Sequence, residues 1–328
     1  MWNRRNLLSL TALTLAATAT PIWAQASAAT FPNRSLTMVV PFPAGGITDA
    51  IARILALKVS EQLGKPVVVD NKPGGGGQIA AAFVRQQPAD GHTIYVAATE
   101  MFAINPTLFR NFSYDPIKDF TPITSLISSP LVLVVAANSP LNSVSDVIKQ
   151  AKTQKGGLNF ASQGMGSIGH LLGETFRGKT GGSFSHVAYK GSAPALQDVM
   201  SGQVDFMFDP VISTAPLIAG KKLKPLAIAA DKRAAQLPDV PTLNELGIPG
   251  VNAGVWFGAV AKAGTPAAAV NRLNEALLAA MKDPEVLKRF ADQGMQPFPS
   301  TPAQFGTFIQ SEVTRWAPLI NASGASID

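Results

Sequence analysis

Two glycine-rich stretches carry residue types and spacing from which a binding site could be built: Pro41-Phe42-Pro43-Ala44-Gly45-Gly46-Ile47-Thr48-Asp49 and Ser162-Gln163-Gly164-Met165-Gly166-Ser167-Ile168-Gly169-His170. Each follows an apolar run, Leu36 to Val40 or Leu158 to Ala161, and opens a segment with helical periodicity. Glycine strips side chains from the loop and permits positive φ, so backbone N–H groups can converge on a bound group. The unpaired amides and positive dipole end of the following helix suit an anion, a carboxylate or a phosphate. Thr48 or Asp49 fits the cap of the first helix, whose apolar positions Ile51, Ile54, Leu55, Val59 and Leu63 fall on one face. The first junction also reads as a tight strand-to-helix turn that binds nothing. The Ser167 hydroxyl adds a donor at the second, and His170, one turn into its helix, reads either as a ligand contact or as a structural histidine. Further strand ends place Tyr189, Ser192 and Asp209 where open α/β sheets hold ligands. Tyr189 equally suits a half-buried core position, and Asp209 a turn.

Other chemistries fail on specific residues. Gly164-x-Gly166-x-x-Gly169 matches the dinucleotide fingerprint, but that fingerprint needs an acidic residue about 20 positions on. The segment Phe184 to Tyr189 has none, so a dinucleotide-dependent enzyme is the weakest reading. The run Gly74 to Gly77 is followed by Gln78-Ile79, without the lysine and hydroxyl of a nucleotide-hydrolysing loop. There is no G-x-S-x-G elbow and no H-E-x-x-H, and His92, His170 and His186 lack metal spacing. Asp49, Glu100 and Asp209 could form an acid–base pair only if the fold brought them together. The sequence predicts no catalytic residue, no metal and no cofactor.

The elements that must position these loops read as β-α-β-α-β over residues 36–98, an α/β pattern with a largely parallel sheet. Val67 to Val69 reads as a buried parallel strand. Thr121 to Pro130, rich in Ser, Thr and Pro, reads as a crossing into a second α/β half that begins with the strand Leu131 to Ala136. Val251 to Val260 reads as the return, before helices near 266–281, 284–292 and 302–320. Two similar junctions, one in each half, predict two α/β lobes facing a shared cleft.

Arg4 and Arg5, the apolar run Leu7 to Ala19 and Ala24-Gln25-Ala26 read as a secretory signal peptide over residues 1–26. No later stretch has the eighteen or so uncharged apolar residues of a membrane span, so an exported, soluble mature chain is expected in the periplasm. The roughly 300 residues that remain suit two domains. The formal charge of +6 falls by two with the leader, and the basic residues are scattered, which excludes a nucleic-acid surface. Cysteine is absent, so no disulfide or thiolate chemistry is available, and a composition 46% hydrophobic and 15% charged must supply stability through its core.

Pro41 to Asp49, Asp70-Asn71-Lys72-Pro73-Gly74, Pro88-Ala89-Asp90-Gly91, Ile104-Asn105-Pro106, Gly166-Ser167 before His170-Leu171, Tyr189-Lys190-Gly191-Ser192-Ala193-Pro194, Trp256-Phe257 and Gly264-Thr265-Pro266 form an ordered set along the mature chain. In this set the sequence resembles the Bug family, the periplasmic solute-binding receptors of tripartite tricarboxylate transporters. The resemblance implies a two-lobe type II periplasmic binding protein (Venus flytrap) fold. Lobe 1 would be 27–127 with 251–328, and lobe 2 would be 128–250. It implies a carboxylate held by backbone amides of the two glycine-rich loops, often with ordered water. Carried over by position, Phe42, Ala44, Gly45, Gly46 and Thr48 fall on lobe 1, and Gly164, Gly166, Ser167, Tyr189 and Asp209 on lobe 2. Two departures stand out: Ile47 where a small residue is common, and Thr99-Glu100-Met101-Phe102 in place of a smaller, more polar segment. Thr99, Phe102 and His170 complete the ligand-binding set. Ile47 and Phe102 would make the pocket more apolar and favour an aromatic or alicyclic carboxylate, while Glu100, if it faces inward, would oppose a dianion; the implied ligand is an aliphatic di- or tricarboxylate or an aromatic carboxylate. The implied partners are inner-membrane permease subunits, with a monomeric receptor that performs no chemistry; a receptor coupled to a membrane signalling kinase is the alternative. Intact mass of the chain recovered from the periplasm is expected to place its N-terminus near Ser27. A periplasmic chain that still begins at Met1 would contradict the leader.

Overall fold

The computed structural model describes residues 31–328, so the leader expected over residues 1–26 lies outside the described residues. The first layer is built from β1 (Leu36–Val40), α1 (Ile47–Leu63), β2 (Val67–Asn71), α2 (Gln78–Gln86) and β3 (Thr93–Ala98). A π-helical turn, Glu100–Ile104, leads into the short α3 (Asn105–Leu108) and then β4 (Phe120–Ala136). The middle of the chain gives α4 (Val144–Thr153), β5 (Leu158–Ser162), α5 (Ile168–Thr180), β6 (Phe184–Ala188), α6 (Ser192–Met200), β7 (Phe206–Pro210), α7 (Val211–Ala219) and β8 (Leu223–Ala229). It closes with β9 (Gly254–Lys262), α8 (Ala267–Lys282), α9 (Pro284–Asp292), β10 (Gln296–Pro297) and α10 (Pro302–Ser323).

The strands run in the order β2-β1-β3-β9-β4-β7-β5-β6, with β8 and β10 also paired to β4. Pairs β1–β2, β1–β3, β5–β6 and β5–β7 are parallel, as right-handed βαβ units require. The sheet is nevertheless mixed, because β9 and β4 enter antiparallel. β2 is an edge strand with Val68 exposed, not the buried strand expected from its valine run.

β4 organises the chain. The Ser/Thr/Pro-rich stretch expected to be a connector is the first part of one 17-residue strand. Phe120 to Pro130 pair with β9, and Leu131 to Ala136 pair with β8 and, as far as Val134, with β7. Pro122 is tolerated because register shifts between Pro122 and Thr124 and between Ser125 and Ile127 interrupt the ladder, and Pro130 stands at the last pair with β9, where the strand changes partners. Beyond Pro130 both faces are covered. Leu131, Leu133 and Val135 join the main apolar cluster, while Val132 and Val134 join a second one with Ala195, Leu196 and Met207, the period of two of a strand. Leu131 N–H donates to Ala253 O and Ala253 N–H to Ala229 O, so the outgoing and returning chains are tied side by side where they cross.

α10 locks this crossing from behind. Buried Glu312 accepts from Trp256 Nε1 at 3.0 Å, Trp316 Nε1 at 3.1 Å and Arg315 Nη1 at 3.0 Å. Glu312→Leu leaves two buried indole donors unpaired, at about 1–3 kcal/mol each. Urea denaturation is expected to show a loss of about 3 kcal/mol, and an unchanged midpoint would contradict this role for Glu312.

Candidate functional site

β1 delivers the chain into a loop where Gly45 takes φ of 87°, a left-handed conformation costly for other residues. Helix α1 then begins at Ile47 with Gly46 as its cap, and no side chain caps it. Thr48 and Asp49, expected at the cap, lie instead in the first turn. The Asp49 carboxylate folds back: Oδ2 accepts from Gly45 N–H and Arg53 Nε, both at 2.9 Å, and Oδ1 from Asn71 Nδ2 at 2.9 Å. Asn71 Nδ2 also donates to Phe42 O at 3.0 Å, which fastens the loop to β2. The Arg53 bond, helped by Gly45 and Asn71, outweighs burial and holds the Asp49 pKa at about 2.

The second loop is built differently. Ser167 caps α5 by accepting His170 N–H at 3.3 Å, and Gly166 N–H donates to His170 Nδ1 at 3.0 Å. A Cβ on Gly166 would stand 2.5 Å from Leu108 Cδ1, so this loop and α3 meet as closely as glycine allows. The His170 and His186 rings stack at 3.9 Å, and burial lowers both pKa values to about 4, which keeps both imidazoles neutral at neutral pH. Asp209, fully buried at the end of β7, accepts from Gln163 Nε2 at 2.5 Å and Ser192 Oγ at 2.7 Å. Burial pushes its pKa up to about 7. Helices α6 and α7 start after Gly191 and Pro210, also without side-chain caps.

These junctions surround one cavity of about 460 Å³, within the size range of ligand pockets. It is lined by the first turn or cap of four helices: Gly46, Ile47 and Thr48 of α1, Ser167 and Ile168 of α5, Gly191 and Ser192 of α6, and Pro210, Ile212 and Ser213 of α7. Phe42, Pro43, Ala44, Ala98, Gln163, Val255 and Phe257 complete a largely apolar wall. Among the lining residues Glu100 alone is ionisable and none is a cation. Four positive helix ends, each with a hydroxyl residue, form a setting for an anion without a counter-charge.

Of the residues singled out from the sequence, Phe42, Ala44, Gly46, Ile47, Thr48, Glu100, Ser167 and Ser192 line this cavity. The others do not. The Gly45 and Gly166 amides are taken by Asp49 and His170. Gly164 O accepts from Ser167 N–H at 3.1 Å, which shapes the turn. Thr99 is buried, its hydroxyl bonded to both N–H and O of Trp256. Phe102 stacks on Trp256 at 5.6 Å inside the core. Tyr189 donates to Asp198 Oδ2 at 2.6 Å, and His170 and Asp209 act from behind the lining, on Gly166 and on Gln163 and Ser192. Sequence reading left Ile212, Ser213, Val255 and Phe257 out of the set, since only the crossing of the chain brings them to the cavity. The signal available for the first two was the Asp209-Pro210 strand end, which marks the start of a helix.

A profile of the tripartite tricarboxylate transporter family receptor, TctC, matches residues 51–325. The chain belongs to this receptor family. Protein BugT of Bordetella pertussis is 36% identical over 307 residues, covering 93% of this chain and 94% of BugT. The structure of Rpa4515 from R. palustris with adipate superposes with a TM-score of 0.79 at 35% identity, over 90% of this chain and 99% of that one. MatC (Rpa3494) of Rhodopseudomonas palustris, with bound malate, gives 0.75 at 34% identity, over 88% and 100%. The TctC-family chain therefore has the two-lobe α/β fold of periplasmic binding proteins. No helix among its described residues is long and apolar enough to cross a membrane.

Because the folded Asp49 pKa is depressed, its contribution to stability is full above the unfolded value near 3.8 and is lost as pH falls through about 2. Asp49→Ala is expected to lower stability by about 2 kcal/mol at neutral pH. Urea titrations at stepped pH should show the gap between the two proteins closing over that acid window. A gap independent of pH would contradict the account.

Proposed function

We propose that this chain is a periplasmic receptor that closes two lobes on a small organic carboxylate and presents it to the permease of a tripartite tricarboxylate transporter, without chemistry. The observation that carries this is the convergence of four helix N-termini on a cavity free of cationic side chains. A carboxylate there accepts charge-assisted bonds from backbone amides and from the hydroxyls of Thr48, Ser167 and Ser213, each worth about 1.5–3 kcal/mol before desolvation is subtracted. Adipate in Rpa4515 and malate in MatC support the ligand class. The permease follows from the family.

In this reading the chain is a monomer. Lobe 1 comprises 27–127 and 251–328, lobe 2 comprises 128–250, and the lobes hinge where β4 and the segment leading into β9 cross. The ligand stabilises the closed form only through its greater affinity for it. The wall is mostly apolar, with Ile47 and Phe257 among its larger side chains, so the ligand body is expected to be hydrocarbon rather than hydroxylated.

A thermal-shift panel of aliphatic and aromatic carboxylates tests this. Ligand at about 100 times its dissociation constant adds about 2.7 kcal/mol, which should raise the melting temperature by several degrees. Turnover of a bound compound, or uptake of that compound undiminished in cells lacking the permease, would contradict the proposal.

A further inference from the structure

Glu100 is out of place in a site for anions. It lines the cavity at the start of the π-helical turn that follows β3, half-buried. No other residue among those described gives it a hydrogen bond or an ion pair, and no lysine, arginine or histidine lines the cavity. Burial disfavours its ionised form and raises its pKa. The turn explains the placement: it carries Phe102 and Ile104 into the core while Glu100 stays at the wall. Asp49, His170 and Asp209 are not among the lining residues; Asp209 stands behind Gln163 and Ser192, and Asp49 and His170 hold Gly45 and Gly166.

We infer that Glu100 sets the ligand class of this cavity: a monocarboxylate whose far end presents hydrogen-bond donors, an amide, hydroxyl or ammonium, rather than a second carboxylate. This rests on the receptor reading above. The helix N-termini and hydroxyls supply donors and ask for an acceptor; Glu100 supplies an acceptor and asks for a donor. A ligand with a carboxylate at one end and donors at the other satisfies both. A diacid places two carboxylates in one low-dielectric cavity with no cation between them, so one must take up a proton or remain repelled.

The test uses matched sets of about four to about eight carbons: each α,ω-diacid, its half-amide and the corresponding ω-amino acid, with terephthalate and its half-amide as the aromatic pair. Affinities are measured by calorimetry on the mature wild-type chain and on Glu100→Gln and Glu100→Ala. Wild-type protein is expected to bind the half-amide or amino acid at least about tenfold tighter than the matched diacid. Either variant should tighten the diacid by at least about tenfold and weaken the amino acid. The melting temperature without ligand shows that each variant is folded. Diacids as tight as half-amides in the wild type, or a ratio unmoved by both variants, overturn this inference and leave the receptor reading standing. If no carboxylate binds at all, the receptor reading falls, and this inference with it.

Discussion

A carboxylate leaving water for a largely apolar cavity loses hydration worth several kcal/mol, and here no lysine or arginine lines the wall to offset that loss. Backbone dipoles must therefore do so. Each helix N-terminus offers several amides without intrahelical partners and a partial positive charge, and each is fixed by the fold rather than ordered when the ligand arrives. In the proposed receptor, the strands that end at the cavity, the helices that start there and the crossing that brings two halves together would supply these fixed donors on several sides.

Fixed donors need fixed loops, and two buried carboxylates hold them. Asp49 fastens the first loop through Gly45, Arg53 and Asn71, and it stays ionised because those bonds exceed the cost of burial. Asp209 fastens Gln163 and Ser192 in the other half but has no cation beside it, so burial dominates and its pKa rises. The same chemical group thus takes opposite shifts according to whether a guanidinium stands near. The proposed closure would also leave the core intact. β4 runs through both halves, and Glu312 with its two tryptophan donors braces the crossing from the side away from the cavity.

Much of this was legible in the sequence because it is local. The glycine junctions at 43–46 and 164–166, the amphipathic stripe of α1 and the small-residue helix α2 depend on neighbours a few residues away, and they fold as their patterns imply. What was not legible depends on distant partners. The cap of α1 is Gly46, while Asp49 lies in the first turn, where it folds back onto Gly45 and is held by Asn71 on β2. Phe102 reads as a wall of the cavity but stacks on Trp256, more than 150 positions along the chain, and Thr99 bonds the same residue. Pro122 and Pro130 suggest a connector, yet a register shift beside Pro122 and the change of partner strands after Pro130 admit both into one long strand. Glu100, left open by the sequence, reaches the cavity because the π-helical turn divides it from its neighbours.

The central claim is that a carboxylate is held by helix N-termini and not by a side-chain cation. The most direct measurement is a crystal structure of the mature chain with a carboxylate found to raise its melting temperature. The account predicts carboxylate oxygens about 2.7–2.9 Å from first-turn amides or hydroxyls of α1 and of at least one of α5, α6 and α7. A carboxylate paired with a lysine or arginine side chain, or bound outside the cavity between Phe42 and Ser213, would contradict it.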